Sequence, residues 1–173
     1  MLSDLTTNSN NRAIYEQCPD DALAIYIHIP FCRTRCTYCA FNTYVGQTAL
    51  IPSYVRAIAR EIASVAPANR LRVTSIYFGG GTPSLLTPEH ISTLLGACAV
   101  AFDLAPHAEI TLEANPGTVD QAYLTDLRHA GVTRLSVGMQ SAHPSELRLF
   151  GRTHTARDVQ RTVSAARQAN FET

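Results

Sequence analysis

The chain carries no surplus charge, with 14 acidic residues balancing 14 basic ones over 173 positions. No run of like charges relieves that balance, so nothing electrostatic points to nucleic acid or to an anionic membrane, and neither is expected as a partner. No stretch approaches the roughly 20 consecutive apolar residues that a membrane-crossing helix needs. An export signal is missing too, because Met1 to Asn11 is polar instead of a charged head followed by an apolar run. The cytoplasm is the expected compartment. There, the five cysteines read as thiols or metal ligands instead of a disulfide framework.

What is present fits one globular domain. Hydrophobic residues make up 46% of the chain, enough for a core at this length. Residues 1–20 are polar, without a periodic apolar face, and read as an N-terminal tail. Leu23 to Ile29 is short and almost wholly apolar, as for a strand buried on both sides of a parallel sheet, with Ala24, Tyr26 and His28 pointing opposite to Leu23, Ile25, Ile27 and Ile29. A helical stripe follows at Ile51, Tyr54, Val55, Ile58, Ile62 and Val65. Val73 to Phe78 is the second strand. Thr87-Pro88 caps and starts a helix whose stripe is Ile91, Leu94, Leu95, Cys98 and Phe102.

The third strand, Glu109 to Ala114, alternates cleanly. Thr118 and Gln121 have capping-box spacing for a helix that runs to His129 and stops at Gly131. The fourth strand is Arg134 to Met139. A short helix near Ser145 to Phe150, a break at Gly151 and a helix from Ala156 to Ala169, with Val159, Val163 and Ala166 inward, complete the pattern. Four strand-helix alternations predict an α/β fold with a parallel sheet. Four units cannot close a β/α barrel, so the chain is expected to be truncated before the barrel is complete.

Chemistry concentrates after the first strand. Cys32-Arg-Thr-Arg-Cys36-Thr-Tyr-Cys39 puts three thiolates on one tight loop, and thiolates suit iron-sulfur clusters or zinc. A structural zinc site is normally closed by a fourth ligand, and no second Cys or His pair follows. Three ligands leave one metal corner open, where a small chelating molecule can bind. The alternatives are zinc closed by His28 or Cys18, or metal-free thiols.

Gly79-Gly80-Gly81-Thr82-Pro83 ends the second strand and lets a ligand approach the backbone closely. It lacks the Lys-Ser/Thr pair of a Walker phosphate loop. A tight strand-to-helix turn would use the same glycines. Glu113 and Asn115 end the third strand, and Gln140 and Ser141 the fourth. Singly, each could be an ordinary solvated group. Together with the cysteines and glycines they fall at one end of successive strands, a composite site for a molecule with an amino-acid end and a nucleoside end. Cys98 reads as core packing, and Cys18 has no assignment. No role is assigned to His90, His107, His129 or His143, whereas His154 stands out for its closeness to Arg152.

Tyr26-Ile-His28-Ile-Pro30-Phe31-Cys32, with Cys36, Tyr38, Cys39 and Phe41, resembles the HemN/HemW group of radical S-adenosylmethionine (SAM) proteins. Gly79-Gly-Gly-Thr-Pro-Ser, Glu113-Ala-Asn-Pro and Ser136-Val-Gly-Met-Gln140-Ser extend the resemblance from about Leu23 to the end. It implies a partial TIM-like (β/α)6 radical SAM barrel, with residues 21–173 as the N-terminal part of that core domain. It also implies a [4Fe-4S] cluster on Cys32, Cys36 and Cys39, with SAM on the fourth iron. By the same resemblance Tyr26, Tyr38, Gly80, Gly81, Thr82, Glu113, Gln140 and Arg152 contact SAM.

The coproporphyrinogen III oxidase branch has a further Cys two residues after the third ligand. Phe41 stands there instead, which is similar to the heme chaperone branch. That branch implies heme as a further ligand, a haemoprotein acceptor and an electron donor. The oxidase branch would instead imply radical decarboxylation of a porphyrinogen, so enzymatic activity is left open.

Overall fold

A computed structural model describes residues 22–67 and 69–171. The expected polar tail and Cys18 lie outside the described residues. Four parallel strands form the sheet in chain order: β1 (Ala22–Ile29), β4 (Arg72–Gly80), β5 (Asp103–Ala114) and β6 (Arg134–Val137). Between β1 and β4 come two short parallel strands paired with each other, β2 (Phe31–Cys32) and β3 (Tyr44–Val45), and then helix α1 (Ile51–Ser64). Helix α2 (Pro88–Ala101) follows β4, α3 (Gln121–His129) follows β5, and α4 (Pro144–Leu149) and α5 (Ala156–Gln168) follow β6.

The predicted stripes find one another. Ile51, Val55 and Ile62 of α1, Ile91, Leu94 and Cys98 of α2, and Leu124 and Leu127 of α3 join Ile27, Ile29, Ile76, Phe78, Ile110 and Leu112 of the strands in one buried core. Cys98 is fully buried, and burial pushes its thiol up to about 11, which leaves it an inert packing group.

β1 differs from the expectation of burial on both sides. Ile27 and Ile29 are buried on the helix-covered face, but Tyr26 on the other is 55% exposed. The register Tyr26, Tyr77, Thr111, Arg134 runs across that second face, with Glu113 beside Ser136. It is a polar and aromatic face, because the stripes of α1, α2 and α3 pack against the other side.

Three local expectations are corrected. α3 is capped by Asp120, whose carboxylate accepts from the Tyr123 amide at 2.9 Å. Thr118 cannot serve, because its hydroxyl donates to the Asn115 carbonyl at 2.7 Å and so belongs to the turn before the helix. β6 stops at Val137 instead of Met139. Beyond it the Met139 amide donates to the Val137 carbonyl at 2.9 Å and Gln140 adopts φ 61°, a tight turn instead of a strand. In α5 the buried positions are Thr162 and Ala166, with Val159 and Val163 only half-buried. Thr162 is tolerated inside because its hydroxyl accepts from the Gly117 amide at 3.4 Å.

His90 has a structural role that its sequence position did not suggest. It closes a capping box with Thr87 at the start of α2, accepting from the Thr87 amide through Nδ1. The α3 cap gives a direct check. Asp120→Ala is expected to cost about 1 kcal/mol of stability, read by denaturant unfolding, whereas Thr118→Ala should leave α3 intact.

Among the described residues no helix is long and apolar enough to cross a membrane.

Candidate functional site

The three-cysteine loop is held at both ends by backbone. Cys32 is the last residue of β2, and its partner β3 pairs Phe31 with Tyr44 and Cys32 with Val45, so the segment between is a closed loop. The Tyr44 amide donates to the Pro30 carbonyl at 2.7 Å and tightens the closure. A second fastening lies on the far side of the loop. Thr37 donates through its hydroxyl to the Leu149 carbonyl at 2.8 Å and through its amide to the Phe150 carbonyl at 3.3 Å.

Cys32, Cys36 and Cys39 all line one cavity of about 770 Å³ at the C-terminal ends of the strands. Gly80, Gly81, Thr82, Glu113, Gln140, Arg152 and Tyr38 share that lining, so seven of the eight side chains and backbone positions marked for SAM are brought together. Tyr26 is the exception. It sits on the bare face of the sheet, stacked on Tyr77 at 6.1 Å between ring centroids, with its hydroxyl 3.1 Å from His28 Nδ1.

Each wall is built by specific contacts. Gly80 has φ 113°, and a Cβ there would meet the His28 ring at 2.6 Å. Gly81 packs mainly against backbone, since a Cβ would meet the Phe31 carbonyl at 2.8 Å, Cys32 Sγ at 2.9 Å and the Ile29 carbonyl at 3.0 Å. Gly80 therefore answers a close approach to β1, and Gly81 one to the start of the cysteine loop. Glu113 accepts from the Tyr77 hydroxyl at 2.8 Å and from the Gly80 amide at 3.2 Å, which fixes its carboxylate at the cavity edge. Gln140 reaches the lining through its left-handed turn. His154 supports that turn from below, buried, with Nε2 2.9 Å from the Met139 carbonyl.

Arg152 binds across the cavity. Its Nε and Nη2 donate to the Tyr38 hydroxyl at 3.2 and 2.9 Å, and its Nη1 donates to Asn115 Oδ1 at 2.9 Å. Asn115 Nδ2 in turn donates to Thr82 Oγ1 at 3.3 Å. The Thr82 hydroxyl donates to Cys32 Sγ at 3.6 Å.

Electrostatics follows from this packing. Burial raises the Cys32 thiol above its ordinary value, and the Thr82 hydroxyl and the Arg152 guanidinium pull the other way. Burial also raises the Tyr38 phenol, opposed by Arg152. Arg33 and Arg35 project from the loop between the first two cysteines and line the same space. The cavity thus presents basic groups from the loop and an acidic one, Glu113, from the sheet.

Several contributors escaped the sequence. Tyr77 anchors Glu113 and Thr37 anchors the loop, and no local pattern marks either; His154, singled out only for its closeness to Arg152, anchors the Gln140 turn. Asn115 was visible as a polar strand end, but its two partners were not. His107, His129 and His143 stay outside the lining, as does His28, which makes its ring contacts with Tyr26 and with the Asn42 carbonyl at 3.0 Å.

The donor set is therefore three thiols with open space beyond them. A structural zinc ion needs four donors converging on one point. Among the described residues no group of three or more His, Cys, Asp or Glu side chains lies close enough to hold a single metal ion. Three thiols lining one cavity are the donor set that an iron-sulfur cluster uses.

Comparison with known proteins supports the same chemistry. The sequence profile of the radical SAM superfamily matches residues 26–173. The Bos taurus protein named radical S-adenosyl methionine domain-containing protein 1, mitochondrial, is 41% identical over 146 residues, which cover 84% of this chain and 33% of that protein. Heme chaperone HemW of Escherichia coli is 40% identical over 147 residues, covering 83% of this chain and 39% of that protein. Escherichia coli coproporphyrinogen III oxidase (HemN), a radical SAM enzyme of known structure, superposes with a TM-score of 0.82 at 31% identity, covering 92% of this chain and 37% of that one. The chain thus spans little more than a third of the length of the proteins it matches.

Proposed function

The chain belongs to the radical SAM superfamily, a family that implies a [4Fe-4S] cluster and SAM, and from that premise we propose that it is the front part of a HemW-like heme chaperone. Phe41 carries this reading. It lines the cavity and is 61% exposed at the position where the oxidase branch has its further cysteine.

Cys32, Cys36 and Cys39 hold the cluster in this proposal. Bound there with SAM on its open iron, the cluster supplies one-electron reduction of a sulfonium. The remaining work belongs to the protein. Glu113, already fixed by Tyr77 and Gly80, turns its remaining lone pairs to the ligand's ammonium group. Arg152 spends three N–H groups on Tyr38 and Asn115 and keeps two of its five for a carboxylate or ribose oxygen. Gly80 and Gly81 give the ligand access to backbone, and Thr82, Tyr38 and Gln140 close the sides. Tyr26 joins them from the sheet face, behind the lining. Heme, a haemoprotein acceptor and an electron donor complete the proposed set of partners, with the cytoplasm as the compartment.

A porphyrinogen oxidase is the rival, favoured by the 0.82 TM-score against HemN. Anaerobic reconstitution of the full-length protein with iron and sulfide, followed by heme titration and a SAM-cleavage assay, separates the two. The chaperone is expected to bind heme and to leave coproporphyrinogen III unchanged. Decarboxylation of coproporphyrinogen III, with substrate-dependent 5′-deoxyadenosine and no heme binding, would overturn it.

A further inference from the structure

The hydrogen bonds around the cavity form a directed chain. Arg152 Nη1 donates to Asn115 Oδ1 at 2.9 Å, Asn115 Nδ2 donates to Thr82 Oγ1 at 3.3 Å, and the Thr82 hydroxyl donates to Cys32 Sγ at 3.6 Å, within reach for a large sulfur acceptor. Every link points the same way. A guanidinium that is always charged stands at one end, and the most buried of the three loop cysteines at the other. In the middle of the chain Thr82 is 5% exposed and Asn115 is half-buried. The sequence separation is wide: residue 152 acts on residue 32 through residues 115 and 82.

Hydrogen bonds in series polarise one another, so a donor that is itself pulled by a cation is a stronger donor. Donors to the sulfur ligands of an iron-sulfur cluster stabilise its more reduced, more negative state and raise its reduction potential. We propose that Arg152, Asn115 and Thr82 act as a polarised relay that sets the potential of the cluster through the Cys32 sulfur. Thr82 and Asn115 are thus positioning residues for redox poise, in addition to any contact with SAM. The geometry also explains why a threonine ends the glycine turn. A hydroxyl is needed that can accept from Asn115 and donate to sulfur at once, and the side chain of serine could do the same.

This inference rests on the cluster reading above, and the experiment separates the two. The full-length protein and its Thr82→Val, Thr82→Ser, Asn115→Leu and Thr82→Val/Asn115→Leu variants are reconstituted anaerobically, their iron and sulfide measured, and their midpoint potentials determined without SAM. Thr82→Val is expected to shift the potential to more negative values, Asn115→Leu to shift it the same way by less, and Thr82→Ser to keep the parent value. The double variant should match Thr82→Val alone, because a relay broken at its last link cannot be broken again. If Thr82→Val does not load its cluster, the comparison of Asn115→Leu with Thr82→Ser decides. A cluster that assembles in the parent protein with Asn115→Leu at the parent potential would overturn the relay and leave the cluster reading standing. A parent protein that assembles no cluster would sink both.

Discussion

Cys36→Ala in the full-length, anaerobically reconstituted protein is expected to abolish the broad absorption near the blue and to reduce bound iron and sulfide to background. The loop supplies three thiols; the one histidine that shares the cavity lining, His154, has its Nε2 2.9 Å from the Met139 carbonyl. Removing one leaves two donors, too few to hold a cubane cluster against chelation by solvent. Cys36 is the informative choice because it is only half-buried, whereas Cys32 is buried. Truncating Cys36 should therefore change stability by no more than about 0.5 kcal/mol, the usual range for a surface position. Loss of cluster with a far-ultraviolet circular dichroism spectrum and melting temperature equal to those of the cluster-free parent would assign the effect to ligation. Retention of a full iron and sulfide complement would remove Cys36 from the ligand set.

Gly81→Ala has the second large effect, for a steric reason. The added methyl would meet the Phe31 carbonyl at 2.8 Å, Cys32 Sγ at 2.9 Å and the Ile29 carbonyl at 3.0 Å. Two of these three atoms are backbone, held by the pairing of β1 with β4 and of β2 with β3, and cannot rotate away. Relief requires the cysteine loop to move off β4, breaking the 2.8 Å hydrogen bond from the Gly81 amide to the Ile29 carbonyl. Overpacking of this kind costs about 1–3 kcal/mol. A lowered unfolding midpoint and reduced iron loading are expected together, since the same displacement misplaces Cys32. The control is Gly96→Ala in α2, where a Cβ meets nothing within 4 Å. That substitution should stabilise the chain by up to about 1 kcal/mol through helix propensity. Equal behaviour of the two variants in melting and loading would refute the packing argument.

Both results depend on how a local motif is seated by distant chain. The resemblance marked the three cysteines and the glycine turn because their spacing is short. Their mutual contact, Gly81 against Cys32, joins residues 49 positions apart, and only the β1–β4 and β2–β3 pairings bring them together. Arg152 is a sharper case. Its neighbours Gly151 and Thr153 say nothing of Tyr38 or Asn115, and its contact with Tyr38 spans 114 residues.

The errors have the same origin. Thr118 and Gln121 match a capping box by spacing, yet Asp120 caps α3 because the turn from Pro116 claims the Thr118 hydroxyl first. Alternation within β1 revealed two faces, but not which would be covered. The helices chose the aliphatic side and left Tyr26 on the open face.

By itself, the sequence determined the order of strands and helices, the apolar stripes that pack them and the three-thiol loop. Each is written in residues a few positions apart, within reach of one helical turn or one strand alternation. Only the tertiary structure decided the relay from Arg152 to Cys32, the anchoring of Glu113 by Tyr77, the support of the Gln140 turn by His154 and the exclusion of Tyr26 from the lining. Those contacts depend on which strand ends meet, and that is set by sheet register and by burial of the common core.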